Sequence, residues 1–226
     1  MTRTRVVRVA ALIALILGIA LVAWRVVLIT PSDYEKQMPR ASGSAMPPTN
    51  SVAPGTGAGD PTGLPASCQS SPEPLVGAQL GLPGHKRSMP MIALGTSADN
   101  APIAPPGNMG NTVGWFDRSA APGSAKGRTV LTAHTFRLGG ALGNDLNHGL
   151  LSPGDVIAIT DAGGRSACYR FTGALKVFVA DYNPDSTLIY DNDSAPQLVI
   201  VVCSDYPLVG SNAASRALYY ADLVTA

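Results

Sequence analysis

Residues 197–206 read QLVIVVCSDY, and the reading of this stretch governs the rest of the chain. Residues 197–202 are almost continuously apolar and rich in valine and isoleucine, which predicts a central strand covered on both faces. Cys203 ends that run, and the polar SDY follows at once. A thiol at such a strand-to-loop junction is held by the strand yet stands at the edge of a cleft. Comparable short runs lie on either side, at 89–94, 101–104, 128–133, 155–160, 167–175, 176–180 and 214–224. A turn at DAGGRS follows residue 160. Short strands at this spacing predict a mainly-β domain closed, or nearly closed, into a barrel. Helix signals are few: a turn or two over 141–150 before Pro153, and another over 111–116.

Composition narrows the function classes. Of 226 residues, 16 are Lys or Arg and 15 are Asp or Glu, for a net charge of +1. That balance argues against nucleic acid as a partner, since tracking a phosphate backbone needs a basic stripe. Charged residues are 14% of the chain, against about 25% in ordinary soluble domains. Three cysteines with no CxxC pair exclude a dense disulfide scaffold and give no sign of a zinc or dithiol site.

The amino end reads as a membrane signal. Arg3, Arg5 and Arg8 precede an uncharged apolar run over 9–24, which resumes after Arg25 and ends at Ile29. Residues 9–29 would form a helix of about 31 Å, the thickness of the hydrocarbon core. The leading arginines place the amino terminus in the cytoplasm. Residues 1–30 are therefore expected to be an uncleaved transmembrane anchor. The rival is a cleaved signal, but its small-x-small sites, Gly18-x-Ala20 and Ala41-x-Gly43, fall inside the run and well past it. Either way the remainder lies outside the cytoplasm. Residues 31–74, thick in Pro, Gly and Ser, bury too little surface to offset their ordering entropy and read as a disordered linker. Residues 75–226 are long enough to fold as one domain.

Three side chains in that domain carry chemistry. Cys203 is one, and His134 is another, ending the β-branched run RTVLTA and opening a Gly-rich loop. Arg216 lies thirteen positions past Cys203, within reach of a strand that returns. A thiolate attacks a carbonyl, an imidazole moves the protons, and a guanidinium, which is no base, holds a developing oxyanion. Together these groups suit acyl transfer.

The order and spacing of TVLTAHTF, Cys203 and Arg216 resemble the sortase family of cysteine transpeptidases. The run PMIALGTSADNAPIAPPGN through TVGWFDRSAAPGSAKGRTVLTAHT is similar to the family's first strands up to its catalytic histidine. LSPGDVIAIT is similar to its L-x-x-GD-x-I strand. The likeness covers about 140 residues, from near Met89 to Val224, and points to a housekeeping-like or class E/F-like member. It implies an eight-stranded sortase-type β-barrel with short helices. It also implies that Cys203 is the nucleophile, His134 the general acid and base, and Arg216 the oxyanion and substrate partner, with no cofactor. The expected partners are surface proteins bearing a C-terminal sorting signal of the Leu-Pro-x-Thr-Gly kind, cut between Thr and Gly, and an amine acceptor, usually a cell-wall precursor. The family's TLxTC signature reads Val199-Ile200-Val201-Val202-Cys203 here, with valine at both threonine positions. There is no Asp-Pro-aromatic lid motif, which favours anchoring of single proteins over pilus assembly.

Two alternatives stand beside this reading. One is a catalytically inactive sortase-like binding barrel in which Cys203 merely packs. The other is a papain-like wall peptidase, which would need its Cys before its His and at a helix start. Cys68 and Cys168 form a bridge or remain separate thiols; a spacer need not reach Cys168. Asp181, Asp185, Asp191 and Asp193 read as a solvated loop rather than a calcium site, and His85 and His148 as surface residues.

Overall fold

The computed structural model describes residues 13, 32–41, 63–97, 102–183, 185–207 and 212–226. Eight strands form a closed barrel: β1 Gly77–Leu82, β2 Arg87–Leu94, β3 Val113–Phe116, β4 Arg128–Ala133, β5 Val156–Asp161, β6 Ser166–Phe178, β7 Gln197–Ser204 and β8 Ser215–Val224. Around the barrel they run β1-β2-β3-β4-β7-β8-β6-β5, with β5 closing on β1. Two of the pairings are parallel, β2 with β3 and β4 with β7. A parallel pair needs a crossover, and the chain between β4 and β7 supplies a long one that carries β5, β6 and a short helix. The short α-helices α1 Asp33–Gln37 and α2 Leu142–Asn147 accompany the sheet. The expected mainly-β barrel is thus the observed one, and α2 falls where a turn or two of helix is expected.

Side-chain alternation divides the strands between two cores. Leu131 and Ala133 of β4, Leu198, Ile200 and Val202 of β7, and Ala217, Tyr219 and Ala221 of β8 fill the lumen. The intervening Val130, Val199, Leu218 and Tyr220 form an outer layer with Leu188 and Ile189 of the β6–β7 connection. The central strand is therefore covered on both faces, as its unbroken apolar run requires. Arg128, 2% exposed, holds the covering loop. It donates to the Leu188 carbonyl at 3.1 Å, to the Thr187 carbonyl, and through two nitrogens to Gln197.

Several local expectations change. Residues 111–116, read as a helical turn, contain β3 instead. Val, Trp and Phe favour a pleated surface, and Gly114 lets the neighbouring strands close in: a Cβ there would lie 2.5 Å from Leu94 and 2.6 Å from Thr132. Of the run at 101–104, Ala101 lies outside the described residues and Pro102 makes an isolated bridge with Thr96, because a proline cannot donate to a ladder. The runs at 167–175 and 176–180 merge into one thirteen-residue strand, β6. The two runs part at Lys176, a buried cation paired with Asp205, residues 179–181 leave the strand in a short turn, and the register shift lies earlier, between Phe171 and Gly173. β1, with two glycines in six residues, had no clear strand signal.

The linker reading also yields in part, since two pieces of residues 31–74 are folded onto the barrel. Residues 32–41 contain α1, with Met38 in the lumen core, and they pair with β6 through the bridge of Arg40 with Lys176. Near residue 68 the chain is tied to β6 by a disulfide from Cys68 to Cys168, across 100 residues of sequence. Composition argued for disorder, but a covalent tie and backbone hydrogen bonds to Ser166 supply what apolar burial does not. The anchor expected at 1–30 lies outside the described residues apart from Ile13. No described helix is long and apolar enough to cross a membrane.

Replacing both Cys68 and Cys168 with Ala is expected to lower the unfolding free energy by about 2–4 kcal/mol. Urea denaturation under non-reducing conditions checks this, and an unchanged midpoint would contradict it.

Candidate active site

Pairing geometry brings His134, Cys203 and Arg216 into one row. Cys203 on β7 is the direct cross-strand partner of Arg216 on β8. On the other side of β7, Ala133 pairs with Val202, so His134, the next residue, comes alongside Cys203. Alternation assigns all three to the outer face, opposite the lumen residues Ala133, Val202 and Ala217. Adjacent strands are about 4.8 Å apart, so the row spans about 10 Å, the scale of one scissile bond with its flanking groups. Each of the three is half-buried, shielded by its neighbours but reachable.

The backbone of this row is fixed by side chains from several elements. The Cys203 carbonyl accepts hydrogen bonds from the Thr135 hydroxyl and from the Asn147 amide of α2, both at 2.9 Å. Asn147 is held in turn by the Tyr219 hydroxyl at 2.8 Å. The His134 ring hydrogen-bonds through Nε2 to the Pro105 carbonyl at 2.5 Å and stacks on Phe136. That bond makes Nε2 the protonated nitrogen and leaves Nδ1 to exchange a proton. The His134 carbonyl accepts from the Gly143 amide at 2.8 Å. Arg216 donates to the carbonyls of Ser215 at 3.0 Å and Ala213 at 3.4 Å, which curls its head back along β8.

Tyr206 closes the site from the loop after β7. Its hydroxyl donates to the Thr135 carbonyl at 3.0 Å. Burial, and then its contact with the Cys203 thiol, push its pKa up to about 12. It therefore stays a neutral hydroxyl at any working pH. Arg137 lies over its ring, 5.7 Å from the centroid, and donates to the Pro207 carbonyl at 2.9 Å. A second guanidinium, besides that of Arg216, thus lies against Tyr206.

The valines at the two threonine positions of the signature, Val199 and Val202, have opposite surroundings. Val199 belongs to the outer apolar layer and Val202 to the lumen core. A hydroxyl at either position would need a partner, whereas valine packs without one.

Among the described residues no cluster of His, Cys, Asp and Glu is arranged to hold a metal ion. Asp191 instead caps a turn, accepting from the amides of Asp193 and Ser194, and Asp193 pairs with Lys126 at 2.7 Å. His148 is exposed, while His85 pairs with Asp155 at 3.0 Å. Thr135, Asn147 and Tyr206 carry no signal in the sequence. Their types are common in loops, and only the fold reveals that they meet at Cys203.

Gly143 tests how closely α2 must approach. A Cβ there would lie 2.5 Å from the His134 carbonyl oxygen and 2.4 Å from the Thr135 hydroxyl. Gly143→Ala is expected to cost about 1–3 kcal/mol of stability through overpacking and to shift the His134 ring resonances. A variant with wild-type stability and an unmoved His134 spectrum would refute this.

A family model described as the sortase domain matches residues 80–224, from within β1 to the end of β8. No curated protein sequence matches the chain. Similar solved structures include sortase A from Corynebacterium diphtheriae, 22% identical with a TM-score of 0.46 over 67% of this chain and 62% of that one. Sortase C from Clostridium perfringens SM101 is 22% identical with a TM-score of 0.43 over 65% of this chain and 68% of that one. Sortase A from Listeria monocytogenes is 16% identical with a TM-score of 0.44 over 67% of this chain and 88% of that one. The chain spans less than two thirds of the Corynebacterium diphtheriae protein. With the family model covering most of the barrel, the chain belongs to the sortase family, a family of cysteine transpeptidases.

Proposed function

We propose that this protein is a membrane-anchored transpeptidase that cuts an LPxTG-like C-terminal sorting signal between Thr and Gly and joins the new acyl end to a cell-wall amine. The observation that carries the reading is the row of His134, Cys203 and Arg216 on one outward face of three adjacent strands. In this account the Cys203 thiolate attacks the threonine carbonyl carbon, and the negative charge moves to its oxygen. Arg216, turning from its backbone partners, donates to that oxyanion. The tetrahedral intermediate collapses, the C–N bond breaks, and protonated His134 gives its proton to the departing glycine amine. A thioester on Cys203 remains. An acceptor amine then attacks the thioester, His134 takes the proton from the attacking nitrogen, and the C–S bond breaks to regenerate the thiolate.

Placement outside the cytoplasm is part of the proposal. The apolar run at 9–29 behind three arginines supports a single-pass anchor with its amino end inside. The Cys68–Cys168 disulfide supports an oxidising compartment for the barrel. Partners in this reading are surface proteins with C-terminal sorting signals and a peptidoglycan-precursor or other amine.

The test is transpeptidation of Leu-Pro-x-Thr-Gly and Leu-Ala-x-Thr-Gly peptides with a diamine acceptor. Cys203→Ala and His134→Ala are expected to abolish nearly all turnover. Arg216→Ala is expected to slow it by about 10²–10³-fold, as for loss of one oxyanion donor. Undiminished turnover by Cys203→Ala would refute a thioester route, and an Arg216→Ala effect under about threefold would remove that residue from the electrophilic role.

A further inference from the structure

The inner side of the same barrel end is polar. One residue beyond Cys203, alternation turns Ser204 toward the lumen, and its cross-strand partner is Ser215. Neither shows any exposure to solvent. Asp205 follows with φ of 53°, a left-handed conformation that a non-glycine residue keeps only where its surroundings enforce it. Here they do. The Lys176 ammonium pairs with the Asp205 carboxylate at 2.9 Å and the Ser215 hydroxyl donates to it at 2.7 Å. The remaining donors of the turn, the Ser204 hydroxyl and the Asp205 amide at 2.9 Å, both go to one oxygen, Oε1 of Glu35.

Glu35 comes from α1, nearly 170 residues earlier in the chain, and is 6% exposed. The stretch Ser32-Asp33-Tyr34-Glu35 matches a capping box, in which Glu would reach back to the helix start. The Ser32 hydroxyl does accept from the Glu35 amide at 3.0 Å, but the Glu35 carboxylate is spent on the turn after Cys203. Ser32 also donates to the Asn147 carbonyl, and Asn147 donates to the carbonyl of Cys203. Residues 32–41 continue as a strap, exchanging backbone hydrogen bonds with Lys176 through Pro39 at 2.7 Å and Ala41 at 2.8 Å. Glu35 thus holds the turn just after Cys203, while Ser32, at the start of α1, reaches Asn147, which joins Thr135 in donating to the Cys203 carbonyl.

We propose that Glu35 is a positioning residue: its carboxylate oxygen, clamping Ser204 and Asp205, sets the end of β7 so that the Cys203 thiol faces His134 and Arg216. The inference rests on Cys203 being the nucleophile. Glu35 touches no reacting atom. What it supplies is an acceptor at a fixed place, so an isosteric amide should serve in its stead and a methyl group should not.

Full-length Glu35→Ala is expected to show kcat about 10- to 100-fold lower with KM within about twofold, the loss that small misplacement of a reacting group causes. Alkylation of Cys203 by iodoacetamide, which needs no peptide substrate, is expected to slow at least about threefold. Glu35→Gln, which keeps the acceptor oxygen, should restore both to within about fivefold of wild type. Asp33→Ala, exposed on the same helix, should change neither. Should Glu35→Ala fail to fold, Ser204→Ala removes the clamp from its other end and is expected to lower kcat and alkylation in the same direction. A folded Glu35→Ala with wild-type kcat and alkylation overturns the proposal. So does a Glu35→Gln as impaired as Glu35→Ala, which would assign the effect to charge rather than acceptor geometry. If the wild type joins no peptide to an amine, the proposed function fails, and the alkylation rates still decide the role of Glu35.

Discussion

The parallel register of β4 against β7 is the constraint on which the rest depends. Six consecutive pairs, from Arg128 with Gln197 to Ala133 with Val202, decide both which residues meet and which face they take. A slip of one residue would turn Cys203 into the lumen and Val202 out to the site. Apolar filling resists that slip, because Leu198, Ile200 and Val202 fill the lumen and the smaller Val199, Val201 and Cys203 would leave it underpacked. Arg128 and Gln197 add a directional lock at the far end of the pair, where a misregistered guanidinium would lose buried acceptors. Strand β8 inherits the register through its own eight pairs with β7, which carries Arg216 to its place.

The active end of the barrel therefore has two sides with different duties. Outside stand a thiol, an imidazole and a guanidinium with Tyr206 beside them. Inside, Ser204, Ser215, Asp205, Lys176 and Glu35 satisfy one another where the lumen core runs out. Ion pairs this well buried contribute little net stability and are strongly destabilising when one partner is removed. Their effect here is to fix geometry: they hold the left-handed turn at Asp205 that redirects the chain as soon as Cys203 has been presented. The same logic explains the valines at 199 and 202. Both sit in apolar layers that set the strand, so the polar groups near the thiol come from neighbouring segments, namely Thr135, Asn147 and Tyr206.

Much of this was legible in the sequence where one signal dominated. The run at 197–202 read correctly as a doubly covered strand because nothing polar interrupts it, and RTVLTA matched β4 residue for residue. The convergence of Cys203, His134 and Arg216 was implied by the resemblance to sortases; strand-end positions alone only allowed it. Failures came where several forces competed. β3 is four residues long and glycine-bearing, so its pleat-favouring Val, Trp and Phe are too few to mark a strand without its partners. The charge of Lys176, buried inside β6, hid that strand's length. The segments around Ser32 and Cys68 looked like spacer because their order comes from a capping hydroxyl, a carboxylate with distant partners and a disulfide, none of which shows as periodicity. The capping-box pattern at Ser32 was the one available clue to α1, and it gave no hint that its glutamate serves a turn almost the whole chain away.

The central claim is that the sulfur of Cys203 carries the acyl group between donor and acceptor. Its most direct test is mass spectrometry of the full-length protein quenched in acid during turnover of a sorting-signal peptide, with the adduct mapped after digestion. The account predicts that the amino-terminal half of the peptide is attached to Cys203 and is released by hydroxylamine. Continued turnover with Cys203 unmodified, or an adduct on any other residue, would contradict it.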